Sequence, residues 1–343
     1  MNDAFYIQRC IDLALKGKGN VAPNPMVGAV IVYKDTIIGE GFHERYGEAH
    51  AEVNAVNSVE NKSVLPESTI YVSLEPCAHF GKTPPCSDLI VHHRFKRVVV
   101  GCIDTFSEVS GKGIQRIKNA GIEVTTGVLE QECRELNSRF FTFHEQKRPY
   151  VILKWAQTPD GFLDKKRTGD KVGINWITQP ETKRLVHQWR AEEAAILIGK
   201  QTAINDNPSL TVREATGENP VRVLLDSKLE VPENAAIFSK NATTLVLNMQ
   251  RSDKQGCVEW IQMEEITPQT ILSVLFQRNL QSVIIEGGKK VLESFITTNL
   301  WDEARVLIGI ENFGEGLTAP EFPQHRLKQE TEVGKDRLIV IRK

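Results

Sequence analysis

Three residues between positions 50 and 86 have the types and spacing of a zinc-ligand set. His50, Cys77 and Cys86 would supply one imidazole and two thiolates, which suit Zn²⁺ and leave the fourth tetrahedral position free for water. Glu52 follows the histidine by two residues, and a carboxylate beside a zinc-bound water can take that water's proton and deliver it to a leaving group. The pattern predicts a catalytic zinc with Glu52 as proton shuttle. The alternative is a structural zinc, or a histidine and cysteines that are merely buried.

The order His-x-Glu and then Pro-Cys matches the signature of the zinc nucleobase deaminases, in which the Glu is not a ligand. The chain departs from the common form only in the cysteine spacing, because eight residues separate Cys77 from Cys86 where two are usual. With this longer loop, the motif LEPCxHxGKTPPC at 74–86 resembles the deaminase half of the bifunctional riboflavin-biosynthesis deaminase/reductases. The resemblance implies a cytidine-deaminase-like fold and hydrolytic removal of an amine from a pyrimidine.

Three further residues of this half are candidate substrate contacts. His79 and Lys82 lie in the loop between the cysteines, and lysine is a good point-charge partner for a phosphate, although exposed lysines are often only solvated. Asn24 stands between Pro23 and Pro25, which restrict the backbone around it. Its amide could present a donor and an acceptor to the edge of a pyrimidine, or it could satisfy its own loop.

The composition is that of a chain folded throughout and acting on small molecules. The 343 residues suffice for two domains, and the 41% hydrophobic and 25% charged fractions are ordinary for globular proteins. A formal net charge of −2 and a sequence pI of about 6.5 give no basic field for a nucleic-acid backbone. We therefore expect a small-molecule substrate and no nucleic acid. The resemblance implies that this small molecule is a phosphorylated pyrimidine, and we also expect a homo-oligomer.

The cysteines and the hydropathy pattern indicate the compartment. The six cysteines are scattered along the chain and two belong to the metal motif, which is not the pattern of a disulfide framework. No segment approaches the roughly 20 apolar residues that a membrane span requires. We expect a protein of the reducing cytoplasm that neither enters nor crosses a membrane.

Alternating strands and helices are expected to position the zinc-site residues. His50 and Glu52 open a predicted helix, so both can face one pocket from its first turn. A buried strand would deliver Cys77 to the start of another helix, whose dipole favours a thiolate. The predicted elements are a helix at 3–17, a hairpin of strands 27–33 and 36–41 around Lys34-Asp35, strands at 69–74, 97–103 and 122–125, and a helix at 113–119. Together they predict an α/β/α layered domain.

A polar segment ending in Pro149 predicts a domain boundary, with domains at 1–146 and 149–343. The second domain is predicted to be another α/β sheet, in which Thr178 caps a helix that starts at Pro180. Its predicted strands are 151–154, 195–199, 221–225, 243–247, 282–286, 304–308 and 338–341, and its other helices are 269–278 and 289–296.

No G-x-G-x-x-G follows any strand of the second half, so a Rossmann dinucleotide fingerprint is absent from the sequence. A glycine pair, Gly287-Gly288, does stand between a predicted strand and a predicted helix. Such a pair allows phosphate oxygens to approach backbone N–H groups, but it also serves as a purely structural turn. The residues alone leave both interpretations open.

The second half also resembles the reductase half of the same bifunctional family. The matching segments are LKWAQTPDG at 153–161, WIT at 176–178, WRAEEAAILIGKQTAINDNPSLTVR at 189–213, LLDS at 224–227 and IIEGG at 284–288. This resemblance implies a dihydrofolate-reductase-like α/β fold that uses NADPH. It places Trp176, Thr202, Asp206, Ser227 and Gly288 at the cofactor, and Arg190, Leu210, Arg213 and Glu286 at the phosphorylated substrate.

The chain departs from the family pattern at four places. Thr158-Pro159-Asp160-Gly161 replaces Ser-Leu-Asp-Gly, and Asp206-Asn207-Pro208 replaces Asp-Asp-Pro, so a hydroxyl and one carboxylate are kept. Ile174 replaces a polar residue and removes a substrate-side hydrogen-bonding group. The segment Ile103–Phe106 replaces Asp-Pro-Asn-Pro, which leaves the role of Asp104 open.

The resemblance implies two successive reactions. The first is zinc-dependent hydrolytic deamination of 2,5-diamino-6-ribosylamino-pyrimidinone 5′-phosphate, with Glu52 moving the proton. The second is NADPH reduction of the ribosyl side chain to ribityl, with Lys154 or Asp206 left open as a proton-transfer group. The alternative is a deaminase of bases in tRNA or single-stranded DNA with an accessory domain, which would need a basic channel and stacking aromatics.

Overall fold

Two units, Met1–Lys147 and Arg148–Lys343, divide the chain in this computed structural model. The structure describes residues 2–80, 84–105, 111–167, 172–322 and 328–343. Within these ranges no helix has both the length and the apolar character that crossing a lipid bilayer demands. Each unit has its own sheet and its own hydrophobic clusters.

The described part of the first unit is a five-stranded sheet with helices on both faces. Its elements are α1 (Asp3–Ala14), β1 (Gly28–Tyr33), β2 (Thr36–Phe42), α2 (Ala51–Ser58), β3 (Thr69–Leu74), α3 (Cys86–His93), β4 (Arg97–Cys102), α4 (Lys112–Asn119), β5 (Glu123–Thr126), α5 (Glu130–Leu136) and α6 (Ser138–Gln146), with 3-10 turns at Leu15–Gly17 and Lys62–Glu67. The strand order is β2-β1-β3-β4-β5, antiparallel around β1 and parallel from β3 to β5.

The sheet is buried on both faces because its central strands are mostly apolar. Along β1, Val30 and Val32 pack in the cluster that contains α1, whereas Ala29 and Ile31 pack in the cluster that contains α2. The predicted hairpin is confirmed, with positive φ at the two turn residues Lys34 and Asp35, as tight hairpins prefer. The expected α/β/α layering is therefore present.

The second unit is a larger mixed sheet. Its elements are β6 (Tyr150–Gln157), β7 (Phe162–Lys165), α7 (Pro180–Glu192), β8 (Ala195–Gly199), α8 (Lys200–Asp206), β9 (Val221–Leu225), β10 (Thr244–Asn248), β11 (Asp253–Gln255), β12 (Val258–Gln262), α9 (Pro268–Gln277), β13 (Ser282–Ile285), α10 (Lys289–Thr297), β14 (Glu303–Ile308), β15 (Gly316–Thr318), β16 (Lys328–Val333) and β17 (Asp336–Arg342), with a 3-10 turn at Ala236–Phe238.

Ten of these strands form one sheet among the described residues, in the order β11-β12-β10-β9-β8-β13-β6-β14-β17-β16. Strands β12 to β14 in this order are parallel, and the outermost pairs are antiparallel. The carboxyl ends of the parallel strands meet at one edge, which is where open α/β sheets bind ligands. Strands β7 and β15 form a separate antiparallel pair.

Two predictions about helix starts are wrong. The helix after β3 begins at Cys86 and not at Cys77. Its N-cap is Pro85, whose ψ of 135° lies outside the helical range. Helix α7 does start at Pro180, but its N-cap is Gln179 and not Thr178. The cap is supplied from a distant strand: the Asp336 carboxylate accepts the Gln179 N–H at 2.7 Å and the Thr182 hydroxyl at 2.6 Å.

Several short elements were not predicted, namely α5, α6, α8 and the strands β7, β11, β12, β15 and β16. Most of them are polar, like α8 with the sequence KQTAIND, or only three residues long, like β11. Such segments show no clear hydrophobic period, and tertiary contacts decide their conformation.

Candidate active sites

The three predicted zinc ligands converge in the first unit. His50 is the N-cap of α2, Cys77 follows β3, and Cys86 is the first residue of α3. The His50 Nδ1 atom lies 3.6 Å from the Cys77 Sγ and 3.3 Å from the Cys86 Sγ, and all three ligand atoms lie within 4.8 Å of one another. Ligands at zinc-bond lengths around a tetrahedron are about 3.5 Å apart, so the set fits this metal.

The surroundings of Cys77 favour its thiolate. The Cys86 side chain, and then His50, hydrogen-bond to the Cys77 sulfur and lower the pKa of Cys77 to about 4. The backbone N–H of Cys86 also donates to this sulfur at 3.3 Å. The expected helix N-terminus therefore does face Cys77, although the helix starts nine residues later in the chain.

Glu52 lies in the first turn of α2, as predicted, and is only 3% exposed. Its carboxyl contacts the Cys86 thiol, so it reaches the ligand set. Burial, and then the negative charge of Cys77, raise the pKa of Glu52. A raised pKa makes this carboxylate a better proton acceptor, which suits a proton carrier.

Of the three expected substrate contacts in this unit, Asn24 is the one held near the zinc ligands. Its Nδ2 group lies 3.1 Å from Nε2 of His43, whose Nδ1–H donates to the Ala49 carbonyl, and the His43 and His50 rings are 5.3 Å apart. His79 is exposed to solvent. Lys82 lies outside the described residues.

Glu75, which the sequence analysis missed, ties the cysteine-bearing turn to α4. Its buried carboxylate accepts the backbone N–H groups of Gly111, Gly113 and Ile114 at 2.9–3.2 Å, which caps the N-terminus of α4. A Cβ on Gly113 would lie 2.0 Å from the Pro76 carbonyl oxygen, so the glycine allows this close approach. The signal in the sequence was a carboxylate directly before Pro76-Cys77.

A cavity of about 1080 Å³ opens in the second unit at the carboxyl ends of the parallel strands. All nine residues that the resemblance assigned to the reductase line it, as do Lys154 and Ile174. They come from segments spread over most of the unit, and the fold brings them together.

A buried ion cluster forms the floor of this cavity. The Glu286 carboxylate lies 3.0 Å from the Lys154 ammonium and 3.0 Å from the Arg190 guanidinium. These two cations outweigh the cost of burial, Arg190 most strongly, and lower the pKa of Glu286 to about 2. Glu286 is therefore ionised at neutral pH and fixes the two cations in place.

The segment after α8 contains the other two residues that the resemblance assigns to the substrate, Leu210 and Arg213. Leu210 is 2% exposed and has a positive φ of 54°, so its backbone is held in a conformation that is uncommon for leucine. The Arg213 guanidinium donates to the Ser209 hydroxyl and, at 3.2 Å, to the Thr211 hydroxyl. The backbone N–H of Arg213 donates to Nδ1 of the buried His187 on α7.

Of the residues that the resemblance assigns to the cofactor, Thr202 and Gly288 contact each other. The Thr202 hydroxyl accepts the N–H of Gly288, the N-cap of α10, at 3.0 Å. A Cβ on Gly287 would lie 2.6 Å from the Gly199 nitrogen, whereas one on Gly288 would meet only the Thr202 hydroxyl at 3.4 Å. The first glycine thus serves strand–helix packing, and the second leaves open space beside the helix N-terminus.

The other three residues that the resemblance assigns to the cofactor also line the cavity. Trp176 is 58% exposed, with the Lys183 ammonium 5.2 Å from its ring, and Ser227 follows the end of β9. Asp206 is ion-paired at 2.6 Å with Arg167, which the sequence analysis missed. Arg167 also binds Asp164, so it links residues far apart in the chain, and no local pattern announces such a contact.

The departures from the family pattern have distinct structural settings. Thr158 and Asp160 are used within the turn after β6, where Asp160 accepts the Thr158 hydroxyl and the Gly314 N–H, the latter at 2.8 Å. Ile174 is 45% exposed at the cavity wall. Asp104 is buried; Phe106 lies outside the described residues.

Comparison with known families assigns each half of the chain. Residues 1–102 match the cytidine and deoxycytidylate deaminase zinc-binding region, and residues 149–337 match the RibD C-terminal domain. The expected fold classes of both halves are confirmed.

Full-length relatives carry the same pair of domains. The chain is 40% identical to riboflavin biosynthesis protein RibD of Aquifex aeolicus, over 98% of this chain and 95% of that protein. It is 32% identical to RibD of Escherichia coli, over 98% of both. Among solved structures, it is similar to a diaminohydroxyphosphoribosylaminopyrimidine deaminase/5-amino-6-(5-phosphoribosylamino)uracil reductase of Thermotoga maritima, with a TM-score of 0.89 and 38% identity over 99% of this chain and 98% of that one.

The two halves, their sites and the full-length matches agree. The chain belongs to the RibD family, the bifunctional enzymes of riboflavin biosynthesis that combine a zinc-dependent deaminase with an NADPH-dependent reductase.

Proposed function

We propose that residues 1–146 deaminate 2,5-diamino-6-ribosylamino-pyrimidinone 5′-phosphate and that residues 149–343 then reduce the ribosyl side chain of the product to ribityl. The observation that carries the proposal is the meeting of His50, Cys77 and Cys86 within 4.8 Å, with the buried Glu52 against them. The division of the chain at Lys147 supports the assignment of one activity to each unit.

In the first reaction, His50 Nδ1 and the two cysteine sulfurs would hold the metal. When bound, zinc supplies a water acidic enough to act as a nucleophile near neutral pH. Glu52 takes up one proton as water adds to the amine-bearing carbon and returns it to the departing amine, so ammonia leaves and a uracil remains. Asn24, oriented by His43, presents its amide to the pyrimidine edge. His79 and Lys82 are assigned to the substrate, with the Lys82 ammonium as the partner for its phosphate.

In the second reaction, bound NADPH would supply the hydride that forms the new C–H bond at C1′, while the C1′–O4′ bond of the ribosyl ring breaks and the ring oxygen takes a proton. Among the residues that line the cavity, the cofactor would be held by Trp176, Thr202, Asp206, Ser227 and Gly288, and the substrate by Arg190, Leu210, Arg213 and Glu286. Of the two groups considered for proton transfer, Asp206 is engaged by Arg167, whereas Lys154 lies beside Glu286 among the substrate residues. We therefore assign proton donation to Lys154.

A deaminase of tRNA or single-stranded DNA is not favoured. The whole second half matches a RibD C-terminal domain, and full-length relatives carry both halves. A small phosphorylated pyrimidine accounts for both sites, whereas a nucleic-acid base would account only for the first.

The expected homo-oligomer and cytoplasmic location belong to the same proposal. None of the six cysteines forms a disulfide, which suits a reducing compartment. Light scattering on the purified protein should give a multiple of the 38.5 kDa chain mass, and a monomer at micromolar concentration would contradict the oligomer.

The decisive test is one assay with three readouts: bound zinc, ammonia release and NADPH oxidation on the aminopyrimidine nucleotide. We expect one zinc per chain and both activities in sequence. A chelator should abolish ammonia release but leave NADPH oxidation on substrate that has already been deaminated. Deamination of single-stranded DNA or tRNA without activity on the nucleotide would overturn the proposal.

A further inference from the structure

His187 lies in the reductase cavity but has no part in the proposed chemistry. It sits on α7 between Lys183 and Arg190, at the helical spacing that places these three side chains along one face. It lines the cavity and is only 1% exposed. A nearly buried imidazole at a ligand-binding wall needs partners for both ring nitrogens.

One ring nitrogen is already engaged. The Arg213 backbone N–H donates to His187 Nδ1 at 3.0 Å, so Nδ1 is an acceptor and carries no proton. Burial, and then the Arg190 and Arg213 guanidiniums, lower the pKa of His187 to about 4, so the ring is neutral and its single N–H is on Nε2. Within the described residues this Nε2 group has no hydrogen-bond partner.

A second unpaired donor lies one turn along the same helix. Arg190 uses one terminal nitrogen for Glu286, and its Nε, which is buried, has no partner among the described residues. The buried Arg190 Nε costs free energy while it lacks an acceptor, and a ligand with several acceptor oxygens would recover this cost. With the Arg213 guanidinium also at this wall, a phosphate monoester suits the position better than a neutral group.

We propose that the Nε2–H of His187 donates a hydrogen bond to the phosphate of the reductase substrate, beside Arg190 and Arg213. The inference rests on the proposed function, and it adds a residue that the family motifs quoted above do not contain. A neutral donor completes the phosphate contacts without adding a third positive charge beside the two arginines. The hydrogen bond from the Arg213 backbone N–H to Nδ1 sets the tautomer of His187 in which the proton is on Nε2.

Two substitutions separate the donor role from a purely structural one. Asn places its Oδ1 where histidine has Nδ1, so His187→Asn keeps the acceptor for Arg213 N–H and loses the distal donor. Gln reaches one atom further and places an N–H₂ group near the histidine Nε2, so His187→Gln keeps the distal donor and loses the acceptor. The two variants therefore test the two nitrogens one at a time.

With the full-length protein and deaminated nucleotide, His187→Asn should raise the KM for this substrate about five- to tenfold. The KM for NADPH and the kcat should stay within about twofold of wild type, and His187→Gln should restore much of the substrate affinity. His187→Asn should have little effect on the KM for a substrate that lacks the phosphate. A wild-type KM for His187→Asn together with an impaired His187→Gln would overturn the proposal.

A binding measurement keeps the inference separate from the enzymatic assignment. Inorganic phosphate, titrated into wild-type protein without substrates, should shift the imidazole ¹⁵N resonances of His187, identified by their absence in His187→Asn. If wild type failed to oxidise NADPH on the nucleotide but still showed this shift, the proposed function would fail and the anion site would stand. Active wild type with no shift at saturating phosphate would reject the His187 contact alone.

Discussion

The two candidate sites of this chain are assembled in opposite ways. Every proposed zinc-site ligand and the proton shuttle lie between His50 and Cys86, and they meet where β3 and two helix N-termini come together. The reductase residues extend from Lys154 to Gly288 and meet only at the edge of a ten-stranded sheet. A metal needs a few atoms around one point, so a short motif can supply them. A dinucleotide and a nucleotide need a cavity, and many elements must build it.

A difference in charge accompanies this difference in construction. At the candidate zinc site a single carboxyl group, that of Glu52, lies against the imidazole and the two cysteine sulfurs. The pKa of Glu52 is raised, which suits proton transfer. The reductase cavity instead encloses a fixed ion cluster around Glu286, whose lowered pKa keeps it charged. In the proposed mechanism the first site uses a carboxyl to move a proton, whereas the second uses one to hold cations in place.

The largest expected effect tests whether the sites are separate. Glu52→Gln should lower the rate of ammonia release by about 10²–10⁴, because the amide can still hydrogen-bond but cannot carry a proton. Zinc content should be unchanged, and deaminated substrate should still be reduced at the wild-type rate. Glu48→Gln, in the exposed loop before the motif, is the matched control and should retain full activity. A folded, zinc-loaded Glu52→Gln protein that had also lost reduction would point to one shared site.

The second prediction concerns the stability contributed by the Glu286 cluster. Since the pKa of Glu286 falls from 4.5 to about 2 on folding, the ionised group stabilises the unit above pH 4.5 and this stabilisation is lost as the pH falls towards 2. The shift corresponds to about 3 kcal/mol. All five tryptophans lie in the second unit, so urea unfolding followed by tryptophan fluorescence reports on this unit alone.

Glu286→Gln should remove this part of the pH dependence and should also lower stability at neutral pH, because Lys154 and Arg190 lose their counter-ion. Glu293→Gln removes a more exposed carboxylate at the same cavity and should keep the wild-type slope. An unchanged slope in Glu286→Gln would mean that the cluster does not couple to folding.

The glycine pair allows a test of packing against cofactor binding within the reductase site. Gly287→Ala places a Cβ against the backbone of Gly199 and Ile198, and we expect it to lower the free energy of unfolding by about 2 kcal/mol. Gly288→Ala meets only the Thr202 hydroxyl at 3.4 Å and is the matched variant. It should affect the KM for NADPH more than stability. Equal destabilisation by both would show that neither glycine faces the cofactor.

The smallest expected effect separates the two ligands of the cavity. Arg190→Ala should weaken binding of the deaminated nucleotide about tenfold while leaving NADPH binding nearly unchanged, because its guanidinium is assigned to the substrate phosphate. Arg184→Ala, on the exposed face of the same helix, should leave both affinities intact. Isothermal titration of each ligand gives the two affinities, and a greater loss of NADPH binding would move Arg190 to the cofactor side.

From residue types and spacing alone, the sequence predicts which residues form the candidate zinc site, which residue is the proposed shuttle, and where the central strands lie. These follow from residue type and short spacing: a soft donor set with an adjacent carboxylate, and apolar strands such as β3 and β8 whose predicted bounds match the structure. The resemblance to the reductase family named residues that all line one cavity, although motifs alone could not show that they meet.

The contacts between distant segments could not be predicted from the sequence and are seen only in the folded structure. Asp336 caps α7, Glu75 caps α4, Arg167 binds Asp206, and Arg213 sets the tautomer of His187. Each of these contacts joins groups separated by at least 26 positions. In the sequence, the carboxylates and guanidiniums that form them cannot be distinguished from those that are only exposed to solvent. A local pattern encodes helix or strand because neighbours along the chain set it, whereas these bonds depend on which elements the packed core brings together.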